Sequence, residues 1–300
     1  MTNVSVVLPA HNEAKNLPIL IPRIYETFDQ HRIDGEVILV NDGSSDKTAE
    51  VAENLAKKYK SLTVLHHLNN KGITQAFITA FKHVKGDIII FLPTDLQSDP
   101  REDIPKLLNK MKKGYDLVTG WRERWTRPRR KIIESKIYSF LSRKIFGVNI
   151  HDFNWIRAFK KDIIKDIHLR KDWHRYFVVL VASKGYKIGE VKVNERGRGK
   201  GRSSFNIIRV LTGFFDLLAV KFYLSFTDRP LILFVLPGLV SFGLGILIGI
   251  YLFFLWLLYG IGEKIMLSFL MLILLSLGIQ LIALGLIAEY QAIIKDEVKK

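Results

Sequence analysis

Asp95 and Gln97 are the residues of this chain whose types and spacing point most directly to chemistry. They lie one residue apart, directly after the apolar segment 87–92. Carboxylate and amide oxygens bind hard cations, and two of them at the end of a strand can hold Mg²⁺ or Mn²⁺ while phosphate oxygens complete the coordination. The pair therefore predicts a metal site, with simple loop capping by Asp95 as the alternative.

Two more polar segments follow apolar, β-rich runs. Residues 9–13 read Pro-Ala-His-Asn-Glu, and residues 41–46 read Asn-Asp-Gly-Ser-Ser-Asp. Asp42 and Glu13 bring carboxylates to the ends of these runs, where ligands bind in open α/β sheets. The alternative is ordinary turn and helix-cap chemistry, in which Asp, Gly and Ser are common.

These segments are positioned by alternating strands and helices in the first half of the chain. Strand-like apolar runs occupy residues 4–9, 36–40, 62–65, 87–92, 116–120 and 187–193. Amphipathic helical patterns occupy residues 14–31, 45–59, 73–84 and 101–113, and a further helix is expected to end at Phe146. The βαβα order predicts an α/β fold with a doubly wound, mainly parallel sheet, in which the three polar segments share one edge.

Two long apolar runs close the sequence, residues 231–259 and 265–288. Each exceeds the length of about 18 apolar residues that can cross a bilayer, so we expect a transmembrane hairpin. Glycines four apart, such as Gly245 and Gly249, favour packing of the two helices on each other. Residues 205–222 mix large apolar side chains with charges, which predicts a helix lying in the membrane interface. A core helix is the alternative.

The distribution of basic residues predicts a topology. The connection between the two runs carries Lys264 as its one base, whereas more basic residues flank the hairpin, at Lys221, Arg229, Lys295, Lys299 and Lys300. The positive-inside rule then places both termini and the catalytic part in the cytoplasm. The first residues also lack the basic leader and apolar core of a signal peptide.

Composition narrows the classes of function. The 300 residues carry a formal net charge of +16, which attracts anionic lipid, phosphorylated substrates or nucleic acid. The membrane runs and the acidic residues after the strands argue against nucleic acid. The chain has no cysteine, which excludes disulfides, thiolate metal sites and cysteine nucleophiles.

Five sequence elements together resemble a known family. They are residues 6–13 (Val-Val-Leu-Pro-Ala-His-Asn-Glu), 40–46 (Val-Asn-Asp-Gly-Ser-Ser-Asp), 70–72 (Asn-Lys-Gly), 86–87 (Gly-Asp) and 94–97 (Thr-Asp-Leu-Gln). In order and spacing they are similar to glycosyltransferase family 2 enzymes of the GT-A fold, in particular the polyprenyl-phosphate sugar synthases such as dolichol-phosphate mannose synthase.

The resemblance implies a GT-A catalytic domain at residues 1–204, an interfacial amphipathic region at 205–229 and a transmembrane hairpin with a cytoplasmic tail at 230–300. It implies an inverting transfer of one sugar from a UDP- or GDP-linked donor to a membrane polyprenyl phosphate. The number of copies in the assembly, the sugar and the choice of dolichyl or undecaprenyl carrier stay open at this point.

The resemblance also assigns residues to the donor. It implies that the nucleotide contacts Pro9, Ala10, Glu13, Asp42 and Lys71. Asp95, counted among the catalytic residues, and Gln97 then bind Mg²⁺ or Mn²⁺. The family usually carries Asp-x-Asp-x-Gln here, and this chain has Pro93 in place of the first aspartate, which leaves the protein one carboxylate fewer for metal or ribose.

For the acceptor, the resemblance implies phosphate contacts from basic and hydroxyl side chains: Arg122, Arg130, Lys131, Ser135, Arg198, Arg202 and Ser203. A guanidinium suits this role because its planar fork binds phosphate oxygens bidentately. A solvated basic face is the alternative. Asp152 matches the family aspartate that acts as a base or orients the acceptor, and together with Arg122 it completes the predicted catalytic set.

Two other functions compete with this reading. A family 2 enzyme acting on a polysaccharide is the first, but the Gln-x-x-Arg-Trp motif of processive synthases is absent from the sequence. The second is a non-catalytic membrane scaffold that binds nucleotide sugar, which Pro93 favours. Nucleotide binding without turnover would distinguish the scaffold from the enzyme.

Overall fold

The computed structural model describes residues 3–124, 140, 143–144, 146–170, 173–196, 219–224, 230–259 and 264–297. The chain divides into two compact units, Met1–Phe205 and Asn206–Lys300.

The first unit contains a seven-stranded sheet in the order β3-β2-β1-β4-β6-β5-β7. Its strands are β1 (Asn3–Ala10), β2 (Asp34–Asp42), β3 (Leu62–His67), β4 (Ile88–Phe91), β5 (Leu117–Arg124), β6 (Arg157–Lys160) and β7 (Ile188–Asn194). Four neighbouring pairs are parallel, and β6 runs antiparallel to both of its neighbours. The predicted α/β class with a doubly wound, mainly parallel sheet is confirmed.

The helices of this unit are α1 (Leu17–His31), α2 (Thr48–Lys58), α3 (Ile73–Phe81), α4 (Pro100–Met111), α5 (Ile163–Asp166), a 3₁₀ helix (Trp173–Tyr176) and α6 (Phe177–Ser183). Apolar residues of α1 and α4 pack with those of β1, β2 and β4 in a continuous core that includes Leu20, Leu39 and Leu107. A sheet covered by helices on its faces leaves its strand ends free to carry polar residues.

Several predicted boundaries were wrong by a few residues. Strand β2 continues through Asn41 to Asp42, because both residues pair with β3 despite their polarity. Helix α2 begins at Thr48 and not at residue 45, because the residues before it form loop contacts with Asn12. Helix α1 begins at Leu17 and not at residue 14, after a turn in which Asn16 N–H donates to the Glu13 carbonyl.

Strand β6 was not predicted. Its four residues follow a loop, and they join the sheet between β4 and β5, where Phe91 and Thr119 both pair with Arg157. Such a short antiparallel insertion has too little sequence to show a period. The predicted helix ending at Phe146 and the predicted interfacial helix fall mostly outside the described residues, although residues 219–224 are helical.

The second unit contains α7 (Pro230–Tyr259) and α8 (Ile265–Glu297). Both are long and apolar enough to be candidate membrane spans, over Leu231–Leu258 and Ile265–Ile294. They pack on each other through small residues: a Cβ at Gly278 would come within 2.7 Å of the Phe242 Cβ. The Ser241 hydroxyl donates to the Leu274 carbonyl at 2.9 Å, which adds a polar link between the helices.

Candidate active site

A cleft lies at the carboxyl ends of β1, β2 and β4. Its lining comprises Pro9, Ala10, His11, Glu13, Asp42, Ile73, Phe91, Pro93, Thr94 and Asp95. The structure therefore brings together the three polar segments that the sequence placed on one edge. The parallel pairing of β1 with β2 and β4 explains this, because their carboxyl ends meet at that edge.

Asp42 is a cleft carboxylate held in place by several hydrogen bonds. Its Oδ1 accepts a hydrogen bond from Lys71 N–H at 2.9 Å, and its Oδ2 accepts one from Gly72 N–H at 2.8 Å. His67 Nδ1 lies 2.7 Å from Oδ1. Burial raises the pKa of Asp42, but the bonds from His67 and the two backbone groups outweigh it, so the pKa lies below its usual value. The carboxylate is thereby fixed in one orientation.

His67 and Lys71 gain their roles from this contact. His67 is buried, and its second nitrogen lies 2.9 Å from the Thr79 hydroxyl. Both ring nitrogens are thus engaged within the protein, and His67 supports the Asp42 carboxylate. Lys71, predicted to contact nucleotide, contributes its backbone N–H to Asp42 and keeps an exposed side chain.

The loop after β1 is joined to the loop after β2. Asn12 has a left-handed φ of 60°, and its side-chain oxygen accepts hydrogen bonds from the backbone of Ser45 and Asp46. Glu13 N–H donates to the Thr48 hydroxyl at 2.8 Å. His11 Nδ1 lies 2.9 Å from the Asp42 carbonyl oxygen. These bonds hold the candidate nucleotide residues in one rigid corner.

The segment after β4 presents the candidate metal ligands. Thr94 donates from its hydroxyl to the Pro9 carbonyl at 3.1 Å, which ties the segment to β1. Asp95 is half-buried in the cleft, and Leu96 takes a left-handed φ of 59° to turn the chain. Gln97 is buried, and its N–H donates to Asp95 Oδ1 at 3.3 Å.

The donor set fits a divalent ion that shares its coordination with substrate. Within the described part of the chain no group of three or more His, Cys, Asp or Glu side chains comes together as a metal site. Asp95 lines the cleft, whereas Gln97 is buried and is not among the cleft-lining residues, so these residues form no complete protein cage. Mg²⁺ and Mn²⁺ sites of this kind use one or two protein ligands together with phosphates and water.

Arg122 and Asp152, both predicted as catalytic, form a buried ion pair. Arg122 Nε donates to Asp152 Oδ2 at 2.5 Å, and Nη2 donates to Oδ1 at 3.0 Å. Arg122 Nη1 lies 3.5 Å from Glu195 Oε1, and the guanidinium carbon stands 4.6 Å from the Trp155 ring centroid. Arg122 is thus enclosed among acidic and aromatic groups.

Two acidic residues near this pair were not identified from the sequence. Glu190 of β7 accepts hydrogen bonds from the backbone N–H groups of His151 and Asp152, at 2.8 and 3.3 Å. Glu195 lies just beyond the end of β7. Because β7 runs parallel to β5, its carboxyl end lies at the same edge as Arg122, so the strand-end rule used for Asp42 and Asp95 could have indicated Glu195.

A second ionic cluster lies next to residues 94–97. Asp99 caps α4 and pairs with Arg101 at 2.9 Å and with Arg196 at 2.7 Å. Arg196 N–H also donates to the Gln97 carbonyl at 2.9 Å. The bond from Arg196 ties the backbone of Gln97 to the residues that follow β7.

Six predicted acceptor residues lie outside the described residues: Arg130, Lys131, Ser135, Arg198, Arg202 and Ser203. The structure brings together Pro9, Ala10, Glu13, Asp42 and Asp95 in the cleft, and it pairs Arg122 with Asp152.

Comparisons with known proteins agree with this architecture. The model for "Glycosyl transferase family 2" matches residues 5–168. The undecaprenyl-phosphate 4-deoxy-4-formamido-L-arabinose transferase of Shewanella sediminis is 31% identical over 300 residues, spanning 99% of this chain and 89% of that protein.

Solved structures share the fold at lower identity. Mannosyl-3-phosphoglycerate synthase from Rubrobacter xylanophilus superposes with a TM-score of 0.60 at 16% identity, over 74% of each chain. Glucosyl-3-phosphoglycerate synthase from Mycobacterium tuberculosis, in complex with Mn²⁺, UDP-glucose and phosphoglyceric acid, gives a TM-score of 0.58 at 18% identity, over 73% of this chain and 79% of that one.

Proposed function

The chain belongs to glycosyl transferase family 2, and on that basis we propose that it transfers one sugar from a nucleotide sugar to a membrane polyprenyl phosphate, with inversion at the anomeric carbon. Its sheet with flanking helices is of the GT-A type, as expected. The chain is a glycosyltransferase.

One observation carries the choice of acceptor. The likeness to the Shewanella sediminis undecaprenyl-phosphate transferase runs over 99% of this chain, so it includes both apolar helices as well as the catalytic unit. An enzyme with a lipid acceptor gains from such helices, because confinement to the bilayer raises the effective concentration of the acceptor. The Lys and Arg distribution supports a cytoplasmic catalytic unit and cytoplasmic termini.

The donor's nucleoside is assigned to the corner built around Asp42. This corner is bordered by Pro9, Ala10, Glu13 and the backbone of Lys71 and Gly72. The hydrogen bonds to Asp42 fix the orientation of its carboxylate before substrate enters. Fixed orientation lowers the entropy lost on binding.

The diphosphate is assigned to the Asp95 side of the cleft. Asp95 and Gln97 would hold Mg²⁺ or Mn²⁺ there, and the ion would supply positive charge against the departing diphosphate. Thr94 and Arg196 position this segment through their bonds to Pro9 and Gln97. With proline at position 93, the protein contributes less negative charge to the metal than the usual family motif.

In the transfer step, an oxygen of the polyprenyl phosphate attacks the anomeric carbon from the face opposite the diphosphate. The new carbon–oxygen bond forms as the bond to the diphosphate breaks, and the nucleoside diphosphate leaves with the electron pair. The acceptor phosphate is anionic at neutral pH, so alignment contributes more than proton removal. We assign this alignment to Asp152 held by Arg122, and the phosphate contacts to Arg130, Lys131, Ser135, Arg198, Arg202 and Ser203.

The experiment uses the full chain purified in detergent with undecaprenyl phosphate, Mn²⁺ and a panel of radiolabelled UDP- and GDP-sugars. We expect a lipid-linked product with one donor, lost in Asp95→Asn and retained in the exposed control Asp34→Asn. Product formation by Asp95→Asn at the wild-type rate would remove Asp95 from the mechanism. Thermal stabilisation by UDP or by GDP with Mn²⁺ identifies the nucleotide independently of turnover.

A further inference from the structure

Arg157 occupies the catalytic edge of the sheet although the proposed reaction does not use it. It is the first residue of β6, and it pairs with Phe91, the last residue of β4. Because β6 runs antiparallel to β4, its beginning lies where β4 ends. The Asp95 segment starts from that same edge.

The surroundings of Arg157 are almost entirely closed. The residue is 2% exposed, and Nη1 donates to the His174 carbonyl at 3.1 Å. The guanidinium carbon stands 5.3 Å from the Phe91 ring centroid and 5.4 Å from that of Phe177. Burial lowers the pKa of Arg157 to about 10, while the charge of Asp152 opposes the shift, so the group remains a cation at neutral pH.

One edge of this guanidinium has no protein partner. In the described part of the chain, neither Nε nor Nη2 of Arg157 makes a hydrogen bond, and both atoms are buried. Arg122 uses this same Nε–Nη2 edge to bind both oxygens of Asp152. Buried donors of a charged group are costly to leave unmatched, and the planar edge fits two oxygens of one anion.

Contacts of Arg157 connect it to the cleft. Phe91, which packs on the guanidinium, lines the cleft together with Pro93 and Asp95. His174, which accepts from Nη1, has its ring nitrogen 2.9 Å from the Thr74 hydroxyl, next to the cleft residue Ile73. The unmatched edge therefore belongs to a group packed directly against the cleft lining.

We propose that the Nε–Nη2 edge of Arg157 binds a phosphoryl oxyanion of the reactants, so that Arg157 is a further substrate-binding residue. The oxyanion belongs either to the diphosphate of the donor or to the phosphate of the lipid acceptor. The assignment rests on the proposed function for the identity of these reactants. With proline at position 93, the cleft has one carboxylate fewer than the family motif supplies, so less negative charge opposes the binding of an anion there.

The test compares Arg157→Lys, which keeps the charge without the fork, and Arg157→Gln, which removes the charge. Arg175→Lys is the matched control, because Arg175 lies on the adjacent 3₁₀ helix with an exposed side chain. Calorimetry on each full-length protein measures the Kd of UDP and GDP with Mn²⁺, and separately the Kd of farnesyl phosphate. Circular dichroism and thermal unfolding establish that each variant is folded.

We expect Arg157→Lys to weaken one of the two probes about tenfold or more, and Arg157→Gln to weaken it further. The affected probe identifies the source of the oxyanion, and the other probe stays within about twofold of wild type, as do both probes for Arg175→Lys. Kd values within about twofold of wild type for both probes in both Arg157 variants would overturn the proposal, because a purely structural arginine predicts that result.

If neither variant folds, structures of the wild-type chain with UDP and Mn²⁺ and with farnesyl phosphate decide the question. A phosphoryl oxygen within hydrogen-bond distance of Nε or Nη2 in one complex supports the proposal, and its absence from both overturns it. A different pair of results would separate the two proposals. If the wild-type chain forms no lipid-linked product while Arg157→Lys binds the nucleoside diphosphate more weakly than wild type, the proposed function is overturned and the role of Arg157 stands.

Discussion

Arg122 binds Asp152 through two hydrogen bonds from one edge of its guanidinium, from Nε at 2.5 Å and from Nη2 at 3.0 Å. Both side chains are buried, and they come from different parts of the fold, Arg122 from β5 and Asp152 from the loop before β6. The bidentate contact fixes both oxygens of the carboxylate. Arg122 thus holds the Asp152 carboxylate in one orientation.

Replacing Asp152 by Asn tests whether this fixed carboxylate aligns the acceptor. We expect kcat to fall about 100-fold, because misplacement of a reactant is costly, with the donor KM within about twofold of wild type. The free energy of unfolding falls by about 3 kcal/mol, because the buried Arg122 guanidinium loses the negative charge of its partner. Steady-state kinetics per folded enzyme make the measurement. Asp162→Asn, a change at an exposed aspartate, should have no effect. Unchanged kcat in Asp152→Asn would count against the assignment.

Pro93→Asp tests how this chain uses its metal. Pro93 lines the cleft two residues before Asp95, and a carboxylate there adds a hard ligand next to the existing pair. We expect the Mn²⁺ concentration that gives half-maximal activity to fall by up to about tenfold. A metal titration at fixed donor concentration measures it. If the half-maximal concentration is unchanged, position 93 does not face the ion.

Asp103 predicts a pH dependence of stability. It is buried, it accepts a hydrogen bond from Ser98 at 2.6 Å, and burial raises its pKa from 3.8 to about 6. The protonated form stabilises the fold below pH 3.8, and this contribution is lost as the pH rises to about 6. It amounts to on the order of 3 kcal/mol.

Asp103→Asn should therefore be more stable than wild type at pH 7.5, and the difference should shrink at pH 4.5. Thermal unfolding in detergent at the two pH values measures the difference, with Asp34→Asn as an exposed control. A difference that does not depend on pH would show that Asp103 titrates normally.

The packing of α7 against α8 predicts different effects of alanine at two glycines. A Cβ at Gly278 would lie 2.7 Å from the Phe242 Cβ and 2.8 Å from its backbone nitrogen, whereas a Cβ at Gly243 meets nothing within 4 Å. Gly278→Ala should destabilise the α7–α8 pair by about 1–3 kcal/mol through overpacking. Gly243→Ala should not. Unfolding by SDS titration compares the two, and equal midpoints would show that the helices do not pack as described.

Much of this site could be predicted from sequence because it follows one rule. Polar residues after parallel strands gather at one edge, and that rule found Asp42, Asp95 and Glu13 without knowledge of the packing. The same rule applied to β7 would have found Glu195.

The remaining residues depend on tertiary contacts that no local pattern records. Arg122 lies in a stretch rich in basic residues, which is typical of a solvent-exposed surface, yet its side chain is enclosed by Asp152 and Trp155. Arg157 begins a four-residue strand whose place is set by its neighbours in the sheet. Helix α8 continues past Ala288, where the predicted apolar run ended, to Glu297, and the Glu289 side chain accepts a hydrogen bond from Leu231 N–H at the start of α7.

The most direct test of the account is the stoichiometry of the reaction products. The wild-type chain is supplied with its nucleotide sugar, undecaprenyl phosphate and Mn²⁺, and mass spectrometry identifies both the lipid and the nucleotide released. We predict one sugar joined to the lipid through a single phosphate, with one nucleoside diphosphate released for each. A lipid diphosphate with release of nucleoside monophosphate, or a sugar polymer without lipid-linked monosaccharide, would contradict it.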